Sequence, residues 1–133
     1  MTPDVSTPAT SKAMFWTGWI ISTVPALMMG GMGIVIFFAA PKMIAEGMTK
    51  YGYPESVGRP LLAIEIACVV LYLIPQTAVL GAILLTGYLG GAVATHVRAG
   101  EPFWMPLLVG VLVWLGLFLR DARIRALVPL RRP

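Results

Sequence analysis

The residues able to do chemistry in this chain are few, and they sit inside or beside apolar runs. Glu65 lies within PLLAIEIACVVLYLI and is the only acid well inside such a run. His96, the only histidine, closes GAILLTGYLGGAVATHVR (81–98), with Thr95 before it and Arg98 just after. Tyr88 stands two turns earlier in the same run, and Lys42 and Arg59 bracket the polar stretch that precedes Glu65. A carboxylate at mid-helix in a bilayer costs about 2.5–3.5 kcal/mol, so His96, Arg98, Arg59 or Lys42 is expected beside it. Such a group could pass protons, since histidine titrates near neutral pH, or anchor the polar end of a ligand. The same residues could equally form a polar clasp between helices with no chemistry. Tyr88 and Thr95 can add hydrogen bonds, although hydroxyls in membrane helices commonly turn to backbone carbonyls.

These residues need a scaffold that holds them in lipid. Of 133 residues, 58% are hydrophobic and 12% charged, against about 25% charged in a soluble domain. With a mean hydropathy of +0.83, the composition is that of a single integral membrane domain. The net charge of +4 does not indicate nucleic acid, because the basic residues flank apolar runs instead of forming a patch interleaved with aromatics. Cys68 is the only cysteine, which excludes an intrachain disulfide, a C-x-x-C redox pair and c-type haem attachment. One histidine cannot ligate a haem from both sides, and no cluster offers enough ligands for a structural zinc. The chain is therefore expected to bring no metal and no cofactor of its own.

Residues 1–12 are expected as a disordered N-terminus, 13–120 as a four-helix membrane domain and 121–133 as a basic tail. Residues 13–40 form too long an apolar run for the core of a signal peptide, which takes about 7–15 residues. They read as the first helix, with Trp16 and Trp19 in an aromatic belt and a bend at Pro25. Met28, Met29 and Met32 read as adaptable core filling. Residues 41–59 leave the hydrocarbon but stay amphipathic, with Lys42, Glu46 and Lys50 on one face and Ile44, Met48 and Tyr51 on the other. That is the pattern of a short helix lying in the interface. Gly52 ends it, Tyr53-Pro54 turns the chain, and Ser56 is placed to cap the second helix, over 57–74. Pro75-Gln76-Thr77 is a tight turn into the third helix, which carries 81–98, and a second short turn leads to the fourth helix, 103–119. The expected fold is all-α: an up-down, four-helix transmembrane bundle with a short interfacial helix between helices 1 and 2.

Gly87, Gly90, Gly91 and Ala94 fall on one face of the third helix, and Gly87 and Gly91 make a G-x-x-x-G. In lipid this pattern marks close helix packing, within the chain or between two copies. Leu85, Leu89, Ala92 and His96 fall opposite. At about 1.5 Å per residue, Glu65 lies about 7 Å past Pro60 and His96 about 3 Å before Arg98. Their helices are sequential and antiparallel, so the two are expected in one polar cluster. Six of the ten basic residues fall on the side of the two termini and four on the other. Five of those six are arginines just after the last helix, which favours cytoplasmic termini and a tail resting on anionic headgroups.

The stretch PLLAIEIACVVLYLIPQTAVLGAILLTGYLGGAVATHVRAG, with the exit WLGLFLRDARIRALVPLR, resembles the DoxX-like family of small bacterial membrane proteins. The likeness covers nearly everything after about Ser11. It rests on Glu65, the LIPQTAVLGA turn, the GGAVATHVR end of the third helix and the WLGLFLRDARIR exit. The resemblance implies a four-helix bundle in the bacterial inner membrane, with Glu65, Thr95, His96 and Arg98 as signature polar positions. The wider group includes the small membrane subunit of a thiosulfate:quinone oxidoreductase and a membrane component linked to oxidative-stress defence. The expected function is a non-catalytic membrane subunit of a redox system, holding a quinone near Glu65 and His96 and working with a soluble or membrane oxidoreductase. One alternative is a binding or transport protein for a small amphiphile, although the repeated halves usual for alternating access are absent. The other is a structural or assembly protein. A homo-oligomer fits any of the three.

Overall fold

The computed structural model describes residues 9–128, and all regular structure among them is helical. The first helix, α1 (Lys12–Ala39), begins where Ser11 Oγ accepts from the Met14 N–H at 3.2 Å, an N-cap of the usual kind. Pro25 does not end it. The misfit is taken up in a π-helical turn, Ala26–Gly31, directly after the proline. Non-helical backbone at Ala40 (φ −137°, ψ 58°) then breaks the helix, and Pro41 opens α2 (Pro41–Lys50), where its missing N–H costs nothing. Gly52 reverses the chain with φ of +74°, a conformation that suits glycine. A 3₁₀ turn over Glu55–Val57 feeds α3 (Gly58–Leu73), so Ser56 supplies no cap to it.

The remaining helices are α4 (Ala78–Ala99), α5 (Trp104–Arg120) and α6 (Ala122–Leu127). The last was not expected in the tail; Asp121 starts it, its Oδ1 accepting from the Arg123 N–H at 2.9 Å. The disorder expected at the N-terminus and the last tail arginines, Arg131 and Arg132, fall mostly or wholly outside the described residues. Thr10 is held, because its hydroxyl receives a hydrogen bond from Arg125.

Three segments are long and apolar enough to cross a membrane: α1, α3 with its 3₁₀ entry, and α4. The helix α5 is apolar but has 17 residues. Ile20, Leu27, Ile64, Ile83 and Leu108 are exposed on the outside of these helices, a surface that suits hydrocarbon rather than water. The core between them is formed by Tyr72, Ala82, Leu85, Val113 and Leu117.

The helix α1 packs along α5, α3 along α4, and α4 along α5, while the second half of α1 rests on α3. The closest approaches use glycine, but not the glycines that the sequence pattern singles out. A Cβ at Gly18 would lie 2.6 Å from the Arg120 backbone nitrogen; at Gly116 it would strike Ser22, and at Gly81 the backbone of Tyr72. At Gly87, Gly90 and Gly91 it would meet nothing within 4 Å, and Ala94 is exposed. The packing expected of that face is thus not made among the described residues. The physical reason is that α4 buries its Ala78, Gly81, Ala82, Leu85 and Leu89 side against its neighbours, which turns the G-x-x-x-G outward.

Candidate functional site

The site forms at the end of the molecule where α2 lies on α3 and the turn after it reaches the last turns of α4. The apolar side of α2 buries Ile44, which sits against Gly58 together with Met48. A side chain at position 58 would push α2 away. The positive φ at Gly52 then folds Tyr51 and Tyr53 back over the last turns of α4. Tyr51 OH donates to Glu101 at 2.7 Å, and Lys50 Nζ pairs with the other oxygen of Glu101 at 2.6 Å. Arg98 donates to the Tyr51 carbonyl at 2.8 Å and stacks over the Tyr53 ring. The Tyr53 and Thr95 hydroxyls are 2.8 Å apart, and Thr95 also donates to the Gly91 carbonyl.

Lys50, Tyr51 and Glu101 lie outside the spanning segments, and their titration follows from the contacts. The hydrogen bond from Lys50, with that from Tyr51 behind it, holds the Glu101 carboxyl below the ordinary glutamate range. The same bond from the other side, with the charge of Glu101, raises Lys50. Tyr51 is raised because its hydroxyl proton is held by Glu101.

Under this strap is a cavity of about 420 Å³, lined by Met48, Tyr51, Tyr53, Leu61, Gly87, Tyr88, Gly91, Ala92, Thr95 and His96. The absent side chains of Gly87 and Gly91 are what leave room for it. His96 Nδ1 lies 2.8 Å from the Ala92 carbonyl. A carbonyl only accepts, so Nδ1 carries a proton, and Nε2 is an acceptor whenever the ring is neutral. The Tyr51 ring lies 5.6 Å from the imidazole, centroid to centroid. At the deep end, Tyr88 OH donates to Glu65 Oε2 at 2.7 Å, on a half-buried face of α3. A phenol is therefore the partner that offsets Glu65.

The polar residues singled out in the sequence are thus arranged in two levels. Tyr88 with Glu65 forms the deep one. His96, Thr95 and Arg98 belong to the rim, two turns further along α4, about 12 Å at the helical rise. Tyr88, Thr95 and His96 share the cavity, but no basic residue pairs with Glu65 among the described residues. Glu65 lies deeper than its distance from Pro60 suggests, because α3 starts at Gly58. Arg59 instead stacks over Phe37, and Lys42 is exposed on α2; neither reaches the cavity.

Four polar residues of the site lay outside the sequence-based set: Lys50, Tyr51, Tyr53 and Glu101. Their signal was present. The Tyr51-Gly52-Tyr53 sequence places two amphipathic rings around a reversing glycine at the depth where aromatic belts form. Glu101 follows Gly100, which ends α4 with φ of +70° and turns the acid back toward α2.

Against known proteins, the profile of the DoxX-like family matches residues 20–116. That span includes every residue that lines the cavity. No curated protein and no solved structure matches the chain.

Proposed function

The chain belongs to the DoxX-like family, and we propose that it is a membrane-embedded binding protein for an amphiphile with a small oxygen-bearing headgroup. In this reading α1, α3, α4 and α5 form an up-down four-helix transmembrane bundle in the bacterial inner membrane. Both termini are cytoplasmic and α2 lies in the outer interface. The observation that carries the reading is the cavity under α2, with Tyr88, hydrogen-bonded to Glu65 behind it, in its wall and the His96 imidazole at its rim.

A quinone is the favoured ligand. Its flat ring fits a wall left bare by Gly87 and Gly91, and its reduced hydroxyls can donate to the Tyr88 oxygen, whose own proton goes to Glu65, and to His96 Nε2 when that ring is neutral. The protein would then serve as the non-catalytic membrane subunit of a redox system, with electrons supplied by a soluble or membrane oxidoreductase. Simple amphiphile binding or transport without such a partner is the second reading. It is favoured by the cavity alone, which is mostly apolar in its lining and makes no demand for redox chemistry.

The test is a titration of the purified chain in detergent with a short-tailed benzoquinone, followed by melting temperature and tryptophan fluorescence. A saturable rise in melting temperature, lost in Tyr88→Phe, is expected. A rise with a quinone-free amphiphile that matches the quinone would select the second reading. No response to either would remove the binding function.

A further inference from the structure

At the opposite end of the molecule, where α3 turns into α4, Arg120 is buried with no counter-charge among the described residues. It is 8% exposed. Its guanidinium stacks between the rings of Trp19 and Tyr72, at 4.2 and 4.7 Å from their centroids. One Nη donates to the Tyr72 carbonyl at 2.9 Å, and Nε is enclosed with no acceptor. The other Nη has no acceptor among the described residues. A buried cation that lacks an anion is costly, so this arrangement calls for a negative group from elsewhere.

Arg120 borders a cleft of about 200 Å³, lined also by Phe15, Trp19, Ala78, Asp121 and Arg123. That is several times the roughly 30 Å³ of a water molecule. The start of α4 is part of its wall through Ala78, and no side chain caps that helix. Thr77, which stands at the cap position, spends its hydroxyl on the carbonyls of Leu71 and Ile74. The first turn of α4 contains no acid. A 22-residue helix therefore turns an uncapped, positive N-terminus toward the cleft. The one acid there, Asp121, is engaged by the amide and Nε of Arg123, at 2.9 and 3.4 Å, and makes no pair with Arg120 among the described residues. On the other side, Arg125 is turned away toward the Phe118 and Leu119 carbonyls.

We propose that this cleft binds a phosphate-bearing anion, held by Arg120, Arg123 and the N-terminus of α4. The site is independent of the cavity under α2. It is also more specific than the general attraction of a basic tail to a membrane surface, because one defined guanidinium and one helix end converge on it. The phosphate can belong to a lipid headgroup or to a soluble anion, and the experiment separates the two.

Delipidated full-length protein in a neutral detergent would be melted with inorganic phosphate, with short-chain phosphatidylglycerol and with short-chain diacylglycerol, at constant ionic strength set by chloride. A saturable rise with inorganic phosphate identifies a soluble anion as sufficient. A rise with phosphatidylglycerol only assigns the site to a lipid. No rise with either, or an equal rise with diacylglycerol, overturns the proposal. Arg120→Gln should weaken binding by about tenfold or more, the loss of a charged hydrogen-bond donor. If that variant does not fold, Asp121→Asn decides. Asparagine keeps the cap of α6 but removes the competing charge, so affinity should rise about twofold to fivefold. Unchanged or weaker binding in Asp121→Asn overturns the proposal.

Discussion

Gly81 and Gly91 lie on the same helix, ten residues apart, and serve opposite ends of the molecule. At Gly81 a Cβ would enter the backbone of Tyr72, whereas at Gly91 it would meet nothing within 4 Å. The end around Gly81 is closed. There Gly18, Gly116 and Ser22 bring α1 onto α5, and the Tyr72 hydroxyl is shared between Ser22 Oγ at 2.9 Å and the Val113 carbonyl at 2.7 Å. Ser22 in turn donates to the Gly18 carbonyl at 2.8 Å. The end around Gly91 is open, and its α2 strap is held by Ile44 and Met48 against Gly58 and by polar contacts that are exposed or half-buried. One end uses the missing side chain to bring helices together, and the other uses it to make space. Glycine spacing alone does not separate these uses; what does is the apolar residues on either side.

The largest effect is expected from breaking the closed end. Gly81→Val should destabilise the protein by about 3 kcal/mol, an overpacking cost against rigid backbone, or prevent folding. Thermal melting in detergent measures it, and a small loss would mean that α3 and α4 can separate freely. The paired substitution at the open end is Gly91→Leu. Stability should be unchanged or raised by up to about 1 kcal/mol, since glycine is a poor helix former. Ligand binding under α2 should be lost, because the new side chain enters the cavity. A marked fall in melting temperature would instead show that this face packs on a second copy.

Much of the scaffold was legible because hydrophobic length and turn residues speak locally. Apolar runs, Pro75-Gln76-Thr77 and the Gly52 reversal locate α1, α3, α4 and α5 to within a few residues. The amphipathic spacing of Lys42, Glu46 and Lys50 against Ile44 and Met48 marks α2. Pairing across helices was not legible. Glu65 could have met any of several basic residues, and its bond to Tyr88 depends on the rotation of α4, which is set by how Leu85 and Leu89 bury. Arg120 read as one more charge in a basic exit, because stacking between Trp19 and Tyr72 joins residues from three separate helices.

A smaller effect should sharpen the account of the closed end. Tyr72→Phe removes the hydroxyl from a buried network while Ser22 keeps its bond to Gly18. The cost should be about 1 kcal/mol, the usual net worth of one hydrogen bond, measured by denaturation in mixed micelles. A cost near zero would show that the network adds no rigidity beyond packing.

The smallest effect concerns pH and the strap at the open end. Glu101 is held below its ordinary value, so its contribution is complete above about pH 4.3 and fades as pH falls through the lower folded value. Lys50 is raised, so its contribution is complete below about pH 10.4 and fades as pH rises through the folded value. Ligand affinity should therefore be level between about pH 5 and pH 10 as far as the strap is concerned. It should drop at the acid edge, and Glu101→Gln should remove that drop. The pair is exposed, so added salt should reduce the effect. An acid-side drop that survives in Glu101→Gln would place its cause elsewhere.

The most direct test of the cavity's role is photo-crosslinking with a short-tailed benzoquinone that carries a diazirine next to the ring, with the adduct located by mass spectrometry. The site under α2 predicts labelling of Tyr51, Tyr53 or the Tyr88–His96 part of α4, suppressed by unlabelled quinone and by Gly91→Leu. Labelling confined to the apolar groove between α4 and α5, at Thr86, Gly90 or Trp114, or labelling that unlabelled quinone does not compete, would contradict it.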